Sequence, residues 1–342
     1  TIKDYVLHQL CGAWLCDYGM ASTMGLLDIH RFMWDNEALE ISGIRTETLP
    51  DLVWPSQMAG RLTDSASKLT GLPASLPVIV GTHDGGLANI GAGAAAQGDT
   101  VITIGTSGAI RRILPQPLLD EGQRTWCYVL ARDQWLAGGA INNGGLTLQW
   151  VREKFYADLP VDTGYTQLLS EAEAVPPGSN GIFLLPYFSG ERSPYWDPNV
   201  RAAILGLRLE HRRAHIARAA LEGVAFCLAD VWQALASNQA QEDTLNARLT
   251  GGVTRSPLWA QIIADVLGLP LISVDIADAS SVGAAILGHQ ALGSASISEL
   301  IAKIEKGTIF QPDDQRHVFY ADLHNRFQAL YQTVIQPFSL LI

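Results

Sequence analysis

The sequence predicts an α/β protein of two domains, each built on a mixed sheet flanked by helices, and three features point there. Strand and helix patterns alternate across residues 245–292, the order of an α/β layer. TVITIG and AIRRIL, joined by a GTSG turn, read as a β-hairpin. The 342 residues exceed a single hydrophobic core and suggest about two domains of roughly 150 residues each.

In chain order, TIKDYVLHQLCG places Ile2, Val6, Leu7 and Leu10 on one helical face. A helix opening at Thr1, with neither Met nor a leader, reads as an entry cut from a longer chain. A polar region to about residue 60 and the loop TGLPASLP lead into PVIVG, expected to be a short buried strand. DGGLANIG is weakly helical, and the turn to β pattern at Asp99 puts a domain boundary near residue 97. TWCYVLARDQWLAGGAI continues the strands, and GGLTLQWVREKFY gathers Leu146, Trp150, Val151 and Phe155 into a helical stripe. Residues 160–200 are expected to be rich in loops around one strand, IFLLPYF. From residue 210, Ile216, Ala220, Val224, Cys227, Val231 and Leu235 recur three or four apart, which predicts a long amphipathic helix. A strand then ends in ARLTGG, Ser256 and Pro257 start a helix as N-cap and first residue, and Gly268 and Pro270 stop it. LPLISVD and SSVGAAILGHQALG supply the next strand and helix.

Composition narrows the function. Lys and Arg total 23 against 34 Asp and Glu, a formal charge of −11, so neither nucleic acid nor an anionic membrane is an expected partner. Four scattered cysteines without a C-x-x-C pair suit a reducing cytoplasm. No apolar run approaches the roughly 18 residues needed to span a bilayer.

Several stretches carry chemistry. Gly-Lys occurs nowhere, which removes a Walker A loop, and GAGAAA at 91–96 lies in helix-to-strand order, the reverse of a dinucleotide site. GTSG, Gly105 to Gly108, would let backbone amides and the hydroxyls of Thr106 and Ser107 approach phosphate, but by itself reads as a hairpin turn. Asn142, Asn143 and two glycines precede a helix, open between anion binding and turn chemistry. Gly251 and Gly252 leave room for a base or phosphate, whereas Ser256 reads as a cap. Asp84, among glycines after a strand, is open between a general base and an Asx-type turn. His83 reads as packing or hydrogen bonding nearby, and Glu191 and Arg192 of GERSPYWD as bracing a loop.

Taken in order, these segments resemble the FGGY family of carbohydrate kinases. The fit is longest over residues 202–222, where Ala202, Ile204, Gly206 and Leu207 precede His215, Ile216, Ala219, Ala220, Leu221 and Glu222. The resemblance implies the actin-like ATPase (ribonuclease H-like) fold with sugar and ATP in an interdomain cleft. It implies residues 1–97 as the second half of the sugar-binding domain and 98–342 as the nucleotide-binding domain, the last helix returning to the first. Asp84 becomes the catalytic base, with His83 and Gly85 beside it at the sugar. Gly105, Thr106, Ser107, Gly145 and Gln149 fall at the phosphates, and Gly251, Gly252 and Ser256 near the adenosine. ATP and Mg²⁺ are the implied cofactors, and no residue is assigned to the metal. HDGGLAN, GGAINNGG and GERSPYWD look more like gluconate kinases than xylulose kinases, so D-gluconate leads, with xylulose, glycerol, another polyol, or nucleotide binding without catalysis as alternatives. A homodimer is the working expectation for assembly. Neither the family's D-x-G-T phosphate loop nor its K-x-x-W signature occurs, so the first domain is expected to be incomplete and this chain alone weakly active or inactive.

Overall fold

A computed structural model describes residues 1–236 and 247–338; positions 245 and 246 of the expected alternation lie outside the described residues. The first part of the chain carries short elements: α1 (Ile2–Cys11), β1 (Leu15–Asp17), α2 (Tyr18–Thr23), β2 (Leu27–Asp28), β3 (Met33–Trp34), α3 (Asn36–Ser42), β4 (Asp51–Val53), β5 (Met58–Arg61), α4 (Asp64–Thr70), β6 (Pro77–Ile79) and α5 (Asp84–Gly91). Its strands form only two-stranded pairs. Two expectations change here. Leu7 of α1 is buried, but Ile2 and Val6 are exposed, so the apolar stripe is only partly used. The strand of PVIVG is half-buried and pairs antiparallel with β5, leaving Val80 as its buried residue.

The rest is organised on one sheet. β7 (Thr100–Ile104), β8 (Gly108–Leu114), β9 (Trp126–Ala131) and β10 (Gln134–Ile141) are followed by α6 (Gly145–Phe155) and α7 (Val161–Glu173). A β11 (Phe183–Leu185) and β12 (Ala203–Leu205) pair precedes α8 (Arg213–Ala236). Then come β13 (Ala247–Gly251), α9 (Pro257–Leu267), β14 (Leu271–Ser273), α10 (Ala279–Ala291), α11 (Ile297–Ile301), β15 (Ile309–Phe310) and α12 (Asp314–Phe338). The sheet has seven strands in the order β15-β14-β13-β7-β8-β10-β9, parallel from β14 to β7 and antiparallel on both sides. It is the mixed sheet flanked by helices that the sequence predicts.

α7 corrects the loop-rich reading of residues 160–200: Gly164, Leu168 and Ala172 bury one face of a 13-residue helix. α8 fulfils its periodicity and lies in the core with Ile104, Leu184, Trp259 and Phe327. It is also the one described helix long and apolar enough to cross a membrane, with a mean hydropathy of 1.3, which corrects the statement that no apolar run approaches that length. Its apolar segment is 83% buried in the protein. The polar groups it carries inward are paired: Arg218 meets Glu222 at 2.8 Å, and Asp230 accepts from Tyr195 Oη at 2.9 Å. Tyr320, Leu323, Phe327 and Tyr331 of α12 join the core of α8 and α9.

On the opposite sheet face α5 crosses α10. A Cβ on Gly91 would collide with the Ala279 carbonyl, and one on Gly283 with the Leu87 carbonyl, so two glycines set a backbone-to-backbone crossing. Ile90 and Ile286 flank it and pack on Ile113 and Leu136 of the sheet. The helix that carries Asp84 is thereby anchored on the large sheet.

Candidate active site

Strand direction gathers the glycine-rich turns at one sheet edge. β7 and β13 run parallel, and β8 and β10 pair with them in alternation, so Ile104, Gly251 and Ile141 end where Gly108 begins. There the turns pack backbone on backbone. Gly105 O accepts from Gly145 N at 2.7 Å, and Thr106 O accepts from Gly144 N and Leu146 N at 3.1 Å each. A Cβ on Gly145 would come within 2.6 Å of the Gly105 carbonyl oxygen. Gly251, at φ +91°, lies against the Ile104 carbonyl in a conformation that favours glycine.

At NNGG the turn chemistry is visible in the backbone. The first amides of α6 are spent on GTSG carbonyls and on Gly144 O, so that helix start supports the neighbouring turn. The donors left at the edge belong to GTSG itself. Gly105, Thr106 and Ser107 are exposed, and neither hydroxyl makes a hydrogen bond among the described residues. Gly252 is exposed beside them. Gln149 lies further along α6, exposed, its Nε2 donating to Glu153 at 2.9 Å. Ser256 is buried and its Oγ accepts from Trp259 N at 3.3 Å, so its hydroxyl caps α9.

Asp84 opens α5 and is exposed, its Oδ1 accepting from Gly85 N at 2.7 Å. His83 is the N-cap: it is buried, and its Nδ1 accepts from Gly86 N at 3.0 Å, which leaves the second proton position on Nε2. Burial lowers the His83 pKa, against the charges of Asp17 and Asp84, and keeps the ring neutral. His83 thus places Asp84 by fixing the helix start.

Asp84 lines a cleft of about 540 Å³ whose floor is the sheet face of Ala109, Arg111, Trp126 and Ala140. Two of its lining residues, Ala109 and Ala140, lie close in sequence to the GTSG and NNGG turns and face each other across β8 and β10. A larger cavity of about 920 Å³ borders Ile90 and Trp54, with Asp99 as its acid. That carboxylate accepts from Ala95 N and Ala96 N at 3.0 Å each and pairs with Arg248 at 3.3 Å, which leaves no free base there. The exposed carboxylate, Asp84, belongs to the smaller cleft.

Sequence reasoning missed two of its residues. Arg111 reads in AIRRIL as one of two charges in a strand, and only the alternation of faces shows which one enters the cleft. Trp126 stacks on Tyr128 with centroids 4.4 Å apart and offers an aromatic wall. The brace expected of GERSPYWD is present: Glu191 Oε1 accepts from Asn142 N at 2.6 Å and Arg192 N at 2.8 Å, and Arg192 Nε donates to Asn142 Oδ1 at 2.6 Å.

Sequence profiles of the FGGY family of carbohydrate kinases match twice, the N-terminal domain over residues 1–91 and the C-terminal domain over residues 100–292. A gluconokinase of Bacillus licheniformis is 36% identical over 88% of this chain, which spans 60% of that relative's length. Two solved structures from Lactobacillus acidophilus superpose over 100% of the chain with a TM-score of 0.93. They are a xylulose kinase at 30% identity, 69% of which is covered, and a gluconate kinase at 29%, 68% of which is covered.

Proposed function

Since the chain belongs to the FGGY family of carbohydrate kinases, we propose that it carries the catalytic base and phosphate-facing turns of an ATP-dependent sugar-acid kinase, with D-gluconate as acceptor and 6-phospho-D-gluconate as product. The observation that carries the reading is Asp84, an exposed carboxylate at the start of α5 in a cleft lined by Ala109, the residue that follows the GTSG turn.

Asp84 accepts the proton of the substrate's primary hydroxyl while that oxygen forms its bond to the γ-phosphorus; the bridging P–O bond breaks and ADP leaves. Thr106 and Ser107 donate to phosphate oxygens, and Gly145 and Gly251 hold the edge flat enough for that approach. Gly252 leaves open space for the adenosine end. Mg²⁺ arrives with ATP, held mainly by phosphate oxygens, as suits an ion that keeps much of its hydration. Among the described residues no cluster of three His, Cys, Asp or Glu side chains offers a resident metal site.

Gluconate is favoured by the likeness to a gluconokinase. The equal superposition on a xylulose kinase supports a neutral pentulose as the second reading. The test is product formation from D-gluconate, D-xylulose and glycerol with Mg-ATP in the cytoplasm-like pH range; gluconate is expected to react fastest. Faster reaction of xylulose or glycerol assigns the alternative.

A further inference from the structure

Among the described residues Arg111 has no anion within ion-pair distance. It points from β8 into the cleft of Asp84, is half-buried, and forms no ion pair among the described residues. Its one hydrogen bond there goes from Nη1 to Thr103 Oγ1, at 3.2 Å. A guanidinium has five N–H donors, and setting it into a protein wall without a carboxylate is unfavourable unless a ligand completes it. The contrast with Lys3, which lines the same cleft, is direct: its Nζ lies 3.0 Å from Asp17 and 3.3 Å from Asp4. Burial lowers the Arg111 pKa, and the charge of Asp84 opposes this.

Resting on the kinase reading, we propose that Arg111 is the specificity residue of the acceptor pocket, its guanidinium binding the carboxylate of a sugar acid whose far hydroxyl meets Asp84. Position separates this ligand from the γ-phosphate. Arg111 is three residues along β8 from the GTSG turn, about 10 Å at strand rise, away from the edge where the phosphate donors lie. Its row across the sheet is Arg111, Gly138 and Trp126. A Cβ on Gly138 would meet the Trp126 ring at 2.5 Å, so the absent side chain lets the indole lie over the strand beside Arg111. An aromatic face next to a guanidinium suits a polyol chain ending in a carboxylate. Arg192 lines the same cleft and adds positive potential; its Nε and Nη2 hold Asn142 and Ile141, and it too has no ion pair among the described residues.

Calorimetric titration with D-gluconate, the neutral polyol D-glucitol and ATP tests this on the whole chain. The native protein is expected to prefer gluconate over glucitol. Arg111→Gln is expected to weaken gluconate at least tenfold and abolish that preference with ATP binding unchanged, and Arg111→Lys to retain part of it. An unchanged preference in Arg111→Gln overturns the proposal, as does a loss confined to ATP, which would assign the residue to phosphate. Should Arg111→Gln melt early, the Lys variant decides through the same gluconate-to-glucitol ratio. Native binding of ATP and glucitol with no gain for gluconate also overturns it while leaving a polyol kinase intact. Binding of none of the three instead defeats the kinase reading.

Discussion

At Glu191 a side chain only 3% exposed gives one carboxylate oxygen two amide hydrogens and the other none. Burial pushes its pKa up to about 7, against those two hydrogen bonds. The folded chain therefore keeps a proton that the unfolded chain has lost once pH passes the ordinary value of 4.5. Stability contributed by this group falls as pH rises from there to about 7 and levels off above, by no more than about 3 kcal/mol. Glu191→Gln keeps the accepting oxygen and removes the titration. Unfolding midpoints between about pH 5 and about pH 8 are expected to decline less in the variant; an equal slope would place the titration elsewhere. Such environments are illegible in a sequence, because Glu191 owes its state to burial and to the Asn142 amide that the distant NNGG turn brings. Asp84 was legible as an acid among glycines, but its exposure in a cleft was not. Arg111 was not legible, since one strand residue in two faces the cleft and AIRRIL does not say which.

At the scale of elements, the GTSG turn and the start of α6 form one unit held by three backbone hydrogen bonds. Gly145→Ala places a Cβ against the Gly105 carbonyl and is expected to lower the melting temperature and weaken ATP binding about tenfold, with gluconate binding less affected. ATP affinity unchanged in a folded variant would separate that unit from the nucleotide. Periodicity and caps made most helices readable: Ser256, Pro257 and Gly268 bound α9 where the sequence places them. α7 escaped because its start lacks a side-chain cap and Gly164 interrupts its pattern, although Leu168 and Ala172 keep its face buried. α8 was readable through its three-to-four spacing, and its Arg218, Glu222 and Asp230 are paired inside the core. Convergence of the three turns depended on strand order, which no local pattern encodes.

For the molecule as a whole, the α5–α10 crossing joins the segment matched by one family domain to the segment matched by the other. Gly91 and Gly283 fix how α5, and with it Asp84, sits on the sheet that bears the glycine-rich turns. Gly91→Ala is expected to cost about 1–3 kcal/mol and to slow turnover more than it weakens ATP binding, because the base shifts while the turns do not. Loss of stability with turnover intact would show that the crossing supports the fold alone. The two-domain architecture was legible through order: strand, GTSG, NNGG, the 202–222 segment and TGG in succession. The account stands most directly on Asp84, and mass-spectrometric accumulation of 6-phosphogluconate from gluconate and Mg-ATP reads even slow turnover. Product is expected from the native chain and at least a hundredfold more slowly from Asp84→Asn, with ATP affinity retained. Equal rates from the two proteins would contradict it.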